Sequence, residues 1–292
     1  MKFTIASLVS AVALMTLSAV QVSALPVVPK PATAVSIEKR SIAGLNNYDC
    51  QLTAAHPRPL VLVHATLLTA DSWFTFVPVL IEQGYCVFAL TYGQYKGSTF
   101  GGLDYIENSA QELATFTDNV LAKMNVTQVD MVGHSQGGIL GRYWIKYLDG
   151  AGKINRMVGV SPITHGTTLD GITNIAKAFN IFYPAEATFN SFAPSFYEMV
   201  NTSDFIQKLN AGGDVAPGVI QSNIATMYDE VVTPYETCFQ EDAGVTNVLL
   251  QDLCILSLNE HLTMIDSYVV LQFVLNQLDP STAKTANCLS GF

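Results

Sequence analysis

Cationic side chains are scarce in this sequence. Its 14 lysines and arginines stand against 24 aspartates and glutamates, a formal net charge of −10. A surface of that sign repels phosphate backbones and acidic headgroups, which argues against nucleic acids and anionic membranes as partners. Metal-ligand spacing is missing as well. Five cysteines occur, at 50, 86, 238, 254 and 288, and no two form a Cys-x-x-Cys pair, so a zinc site is not expected. Neither an internal repeat nor a linker is visible. The apolar stretch from Ile5 to Val20 is short for a membrane helix and gives way to Pro26 and Pro29.

That stretch reads instead as an export signal. Lys2 supplies the positive start and Val22-Ser23-Ala24 the small-residue cleavage site, so residues 1–24 are expected to be a signal peptide. Residues 25–40 are rich in Pro, Ala and Val and end in the dibasic pair Lys39-Arg40, which suits a short propeptide. Residues 41–292 are then a secreted, extracellular single domain, large enough to bury a sizeable core. In an oxidising compartment five cysteines give two disulfides and one left over. The sequons Asn125-Val126-Thr127 and Asn201-Thr202-Ser203 are glycosylation candidates in a eukaryotic host, or ordinary turns.

Apolar runs alternate with amphipathic segments. Strands are expected over 60–64, 85–90, 128–132, 156–160, 219–227 and 247–250. Helices are expected over 71–83, stopped by Gly84, and over 103–123, 137–148 and about 264–278. This alternation indicates a mostly parallel sheet with helices on both faces, an α/β fold. In such sheets the chemistry sits beyond the carboxyl ends of the strands.

One strand end carries a nucleophile pattern. Val129-Asp130-Met131-Val132 leads into Gly133-His134-Ser135-Gln136-Gly137, and a helical run follows. The flanking glycines permit a sharp strand-to-helix turn that lifts a serine hydroxyl above the sheet, with a helix amino terminus beneath it to favour negative charge. Ser135 is the expected nucleophile. A serine hydroxyl needs a base, and in this arrangement the chain order is serine, acid, histidine. Of the five histidines only His165 and His261 follow Ser135. His261 comes after the last strand and just ahead of the final helix, which makes it the better base. For the acid, Asp229 directly follows the strand-like stretch 218–228, and Asp252 is the runner-up. The oxyanion formed in acyl transfer needs N–H donors. Gln136 supplies one, and the loop His64-Ala65-Thr66 another, with the Thr66 hydroxyl as a possible addition. His64 itself reads as a strand-end histidine bonded to backbone.

Taken together, these residues resemble the secreted class 2 lipases of microbes, which include the fungal lipase B type of the α/β-hydrolase superfamily. The resemblance runs from Tyr48-Asp49-Cys50 to Cys288. It rests on Val63-His64-Ala65-Thr66, Gly133-His134-Ser135-Gln136-Gly137, Pro162-Ile163-Thr164-His165-Gly166-Thr167, Tyr228-Asp229-Glu230-Val231-Val232-Thr233-Pro234 and Glu260-His261-Leu262. It implies an α/β-hydrolase fold, with Asp229 as acid, His261 as base, and Thr66 and Gln136 lining the oxyanion hole. It also implies disulfides Cys50–Cys86 and Cys254–Cys288, with Cys238 unpaired. The departure is Ala65, which stands where such hydrolases usually have glycine and narrows the approach to the acyl oxygen.

An aromatic-rich cap or lid is expected at about 167–215. Phe182, Phe189, Phe192 and Phe196 are candidates to line an acyl groove; Phe189, Phe192 and Phe196 also have the spacing of a buried helix. The expected activity is ester hydrolysis through an acyl-enzyme on Ser135, most simply as a triacylglycerol lipase at an oil–water surface. No metal, cofactor or obligate protein partner is called for. A short-chain esterase or polyesterase would share every catalytic residue. A peptidase or acyltransferase lacks a visible charged specificity pocket, and a silent binding protein would not need the full triad.

Overall fold

Leu60-Val61-Leu62-Val63 is a run of four apolar residues, and it forms β1 (Leu60–Val63) with every residue buried. A strand buried along its whole length needs cover on both faces, the situation of a parallel sheet between two helix layers. Five more strands join it: β2 (Val87–Leu90), β3 (Val129–His134), β4 (Ile154–Val160), β5 (Ile220–Ala225) and β6 (Thr246–Leu249). All pair in parallel, in the order β2-β1-β3-β4-β5-β6. This computed structural model describes residues 42–178 and 193–290. The expected signal peptide and propeptide, and Phe182, Phe189 and Phe192, lie outside the described residues.

Successive strand side chains point to opposite faces, and the core divides accordingly. Val61, Val63, Val129 and Met131 pack with helices α2 (Ile106–Met124) and α3 (Gln136–Tyr147) on one face. Leu60, Leu62 and Val132 pack with α1 (Phe76–Glu82) and the closing helix Tyr268–Leu278 on the other. The chain steps from β1 outward to β2, then returns across β1 to β3 and continues the opposite way. At such a reversal the loops beyond two adjacent strands splay apart and leave a crevice. The two chain segments that enter it are His64-Ala65-Thr66 after β1 and Ser135 after β3.

Several element ends differ from the sequence expectation for local reasons. The helix expected over 71–83 is a 3-10 turn, Ala70–Trp73, followed by α1. Pro78 explains the restart: as third residue of α1 it has no helical N–H to lose, whereas a helix begun at Asp71 would place it in the interior. Gly84, at φ +92°, provides the stop, its N–H reaching Ile81 O at 2.9 Å. The strand expected to run to Met227 ends at Ala225, because Asp229 N–H turns back to Thr226 O at 3.2 Å. The final helix is interrupted at Ser267, which is extended (φ −85°, ψ 122°), leaving a 3-10 turn Leu262–Asp266 before Tyr268–Leu278.

Where the cap was expected, helix α4 (Leu169–Ala178) and the short helices Ser195–Glu198 and Asp204–Asn210 occur. Phe196 is 1 % exposed and belongs to the buried cluster of the α2–α3 face. Cys50 is bonded to Cys86 and Cys254 to Cys288, while Cys238 is buried and free. Asn125, the left-handed C-cap of α2 (φ 53°), is exposed, as is Asn201. Among the described residues no helix is long and apolar enough to cross a membrane.

Candidate active site

β3 runs straight into Ser135, and α3 begins at the next residue. The turn between them is sharp: Ser135 has φ 55° and ψ −119°. Two glycines make it possible. A Cβ on Gly133 would stand 2.6 Å from the Gly137 carbonyl, and one on Gly137 would run into the Val63 carbonyl oxygen of β1. Ser135 N–H donates to Val160 O at 3.0 Å, and Ser135 O accepts from Gly138 N at 3.0 Å, so both sides of the elbow are tied. Ser135 is 2 % exposed. Among the described residues its hydroxyl makes no hydrogen bond.

Asp229 and His261 arrive from different strand ends and meet. Asp229 Oδ1 accepts the N–H groups of Val231 and Val232 at 3.0 and 2.7 Å, and Oδ2 faces His261 Nδ1 at 2.9 Å. With Nδ1–H donating to the carboxylate, His261 Nε2 is the free base. The imidazole is nearly sealed, at 2 % side-chain exposure. Burial alone would lower its pKa, but the charge and hydrogen bond of Asp229, followed by Glu230 and Glu260, raise it above the usual value. The His261 backbone is fixed to the elbow as well: His134 Nε2, next to Ser135, donates to His261 O at 3.0 Å, and the two rings lie 5.1 Å apart. Burial, then the charge of His261, holds the His134 pKa well below its usual value, so His134 serves as a neutral donor.

The loops that carry Asp229 and His261 each place a glutamate next to it in the chain. Glu260 accepts N–H bonds from Leu262 and Thr263 at 2.9 and 3.0 Å, which hold its carboxyl pKa down against burial. Burial, together with the neighbouring Glu260 carboxylate, pushes the Glu230 pKa up.

On the other side of Ser135, the Gln136 side chain donates to Gly102 O at 3.0 Å and lies 3.7 Å from Met199 Sδ. The Gln136 backbone N–H, at the first position of α3, has no helical carbonyl to take. Thr66 is 3 % exposed and its hydroxyl donates to Met199 Sδ at 3.5 Å. Gly102, at φ +68°, allows the approach: a Cβ there would stand 2.8 Å from Gln136 Oε1 and 2.9 Å from Thr66 Cα.

Residues 57–274 match the protein family described as lipase (class 2). The chain belongs to the class 2 lipase family. Among solved structures it resembles Aspergillus fumigatus lipase B (TM-score 0.63, 19 % identity), over 79 % of this chain and 54 % of that one. It therefore spans about half the length of that protein. It also resembles a Bacillus licheniformis lipase in its mature form (TM-score 0.56, 14 % identity), over 78 % of this chain and 94 % of that one. Among curated proteins, a non-heme haloperoxidase of Rhodococcus erythropolis is 26 % identical over 204 residues, 65 % of this chain and 71 % of that protein. At these identities the structural likeness speaks to the fold, which is the α/β-hydrolase fold.

In this member of the family the other candidate residues have different surroundings. His64 Nδ1–H donates to Ala65 O at 2.7 Å, its Nε2 accepts from Tyr92 N at 3.2 Å, and Tyr92 stacks on it. Burial lowers its pKa to about 4, so it is a neutral clamp on the loop after β1. His165 lies 3.1 Å from Asp214, which also holds the buried Arg142 at 2.7 Å. Burial would raise Asp214, yet His165 and Arg142 together bring it down to about 2. Asp252 is exposed on the short helix Leu250–Leu253. Gly102 and Met199 carry no signal in the sequence. His134, Glu230 and Glu260 could have been noticed as chain neighbours of Ser135, Asp229 and His261.

Proposed function

We propose that this chain is an exported carboxylic-ester hydrolase acting on triacylglycerols. The observation that carries the reading is the buried Asp229–His261 pair tied, through His134, to the strained Ser135 elbow. In this mechanism His261 Nε2 takes the proton of Ser135 Oγ as that oxygen attacks the ester carbonyl. The developing oxyanion is met by the backbone N–H of Gln136 and by Thr66, whose hydroxyl exchanges a weak thioether acceptor for an anionic one. His261 then protonates the departing alcohol and leaves an acyl-enzyme. A water, deprotonated by the same Nε2, cleaves that acyl bond and releases the fatty acid. Asp229 stabilises the imidazolium throughout.

The test is hydrolysis of p-nitrophenyl esters from acetate to palmitate by wild type and by Ser135→Ala. Wild type alone should cleave them, with rates sustained on long chains. A profile confined to short chains would instead support an esterase, and no cleavage by the folded wild type would refute the hydrolase reading. Export is supported by the two disulfides and by the leader and dibasic pair in the sequence. Residues 1–24 would be removed as signal peptide and 25–40 as propeptide. Amino-terminal sequencing of the medium protein that began well before Ser41 would contradict that processing.

A further inference from the structure

Ile255, Leu256 and Leu258 are 73, 77 and 73 % exposed. They sit in the loop that leads to His261, and the loop is inside out: its polar residue is the buried one. Ser257 is 9 % exposed, its N–H donates to Cys254 O at 3.0 Å, its carbonyl accepts from Gln251 Nε2 at 3.1 Å, and its hydroxyl donates to Asn259 Oδ1 at 2.8 Å. The disulfide to Cys288 anchors the start of the loop at Cys254. The exposure is therefore built into a bonded backbone rather than left by a slack one. Gln251 Oε1 also accepts Met227 N–H at 3.0 Å, and Thr226 Oγ1 donates to Asn259 O at 2.8 Å. These bonds draw in Met227 and Tyr228, 43 and 44 % exposed, so the exposed apolar residues come from two bonded loops. Exposed apolar clusters with polar rims mark interaction surfaces.

Position and charge say what fits it. Leu258 stands three residues before His261, and Tyr228 immediately precedes Asp229. A protein or a second copy of this chain seated here would cover the approach to the site, whereas a surface made of substrate would feed it. From 209 to 283 the sequence contains no lysine or arginine, and Glu230, Asp252 and Glu260 stand beside the cluster in the chain. An anionic surface would be repelled, and nothing here would hold it.

We propose that the histidine loop, through Ile255, Leu256 and Leu258, is the face by which this enzyme docks on an electrically neutral lipid surface. This rests on the ester-hydrolase reading, and it places the contact with lipid on the loop of the base itself rather than on the 167–215 segment.

The experiment uses the mature protein, its Ile255→Ser/Leu256→Ser double variant and Leu258→Ser. Binding is measured in a Ser135→Ala background by co-sedimentation with phosphatidylcholine and phosphatidylglycerol vesicles. Activity is measured on soluble p-nitrophenyl butyrate and on emulsified triolein. Partition to phosphatidylcholine should fall about tenfold or more in the double variant, as two aliphatic side chains leave the interface. The emulsion rate should fall in step, while kcat/KM on the soluble ester stays within about twofold and binding is insensitive to salt. The parent protein should bind phosphatidylglycerol vesicles more weakly. Equal losses on soluble and emulsified substrate, unchanged vesicle partition, or a dimer that the variants dissociate would each overturn the proposal. If no ester is cleaved by wild type, the catalytic reading fails, and vesicle partition still decides the docking face by itself.

Discussion

Replacing Asp229 by asparagine acts on the atom where the proposed chemistry is set. Asp229 Oδ1 serves two loop N–H groups, of Val231 and Val232, and Oδ2 serves His261. An asparagine keeps the first two bonds with its carbonyl oxygen, which turns its NH2 toward His261 Nδ1. Two N–H donors cannot face each other, so the imidazole moves its proton to Nε2. That is the nitrogen that has to accept the Ser135 proton. In a triad hydrolase such a tautomer change lowers kcat about 10⁴-fold, roughly 5.5 kcal/mol of transition-state stabilisation. Stability should change little, because no buried N–H is orphaned. Asp229→Ala should lose the same activity and, in addition, about 1–3 kcal/mol of stability for each N–H left without a partner. The pH dependence has a sign as well. His261 works when neutral, and Asp229 raises its pKa above 6.5, so wild-type kcat/KM falls as the pH drops through that raised value. Without the carboxylate the acid limb should move to lower pH. The assay is kcat and KM on p-nitrophenyl butyrate across the acid limb, with thermal unfolding in parallel. An Asp229→Asn enzyme within about tenfold of wild type, or one with an unmoved acid limb, would refute the reasoning.

Two further outcomes concern the scaffold. Arg142→Met keeps the volume but removes the buried cation that shares a 2.7 Å ion pair with Asp214 (side chains 3 and 5 % exposed), leaving that carboxylate only His165 at 3.1 Å and the Glu241 N–H at 2.9 Å; denaturant unfolding should show a loss of up to about 3 kcal/mol. Burial, with Glu107 and Asp104 nearby, raises the Glu198 pKa from 4.5 to about 7 while its carboxylate accepts Ile106 N–H at 2.6 Å. A raised carboxyl pKa contributes stability that is present below 4.5 and is lost as the pH rises through about 7. Glu198→Gln keeps an acceptor for Ile106, so it should match wild type in acid and exceed its stability above neutrality, by up to about 3 kcal/mol at 1.36 kcal/mol per unit. Urea midpoints at the two ends of that range would check it.

The start of the sheet was legible because Leu60–Val63 and Val87–Leu90 are short unbroken apolar runs. The later strands, which carry polar residues such as Arg156 and Asn223, were legible through their alternation with helical segments. Helix and strand ends were less so. Thr226 ends β5 through one turn hydrogen bond, and Pro78 restarts α1 through its missing N–H, and periodicity sees neither. Ser135, Asp229 and His261 stood out through chain order and strand-end position, which are properties of the sequence itself. The surroundings of the site did not. Thr66 and Met199 touch across a sequence separation of 133, and nothing local to either residue announces the other. The exposed histidine loop was missed for a related reason: an apolar Ile255-Leu256 pair reads as core until its backbone bonds are known.

The Ser135 elbow has a consequence for anyone who would make this protein hardier. Its dihedrals, φ 55° and ψ −119°, suit glycine, and an L-residue there carries strain of about 1–3 kcal/mol. The residue proposed as nucleophile is thus the one that the backbone would least choose. Libraries screened for heat resistance alone should drift toward glycine at this position and yield sturdy, inert protein. On the proposed mechanism natural selection meets the same conflict at every generation, with catalysis holding a hydroxyl where the chain would rather have nothing.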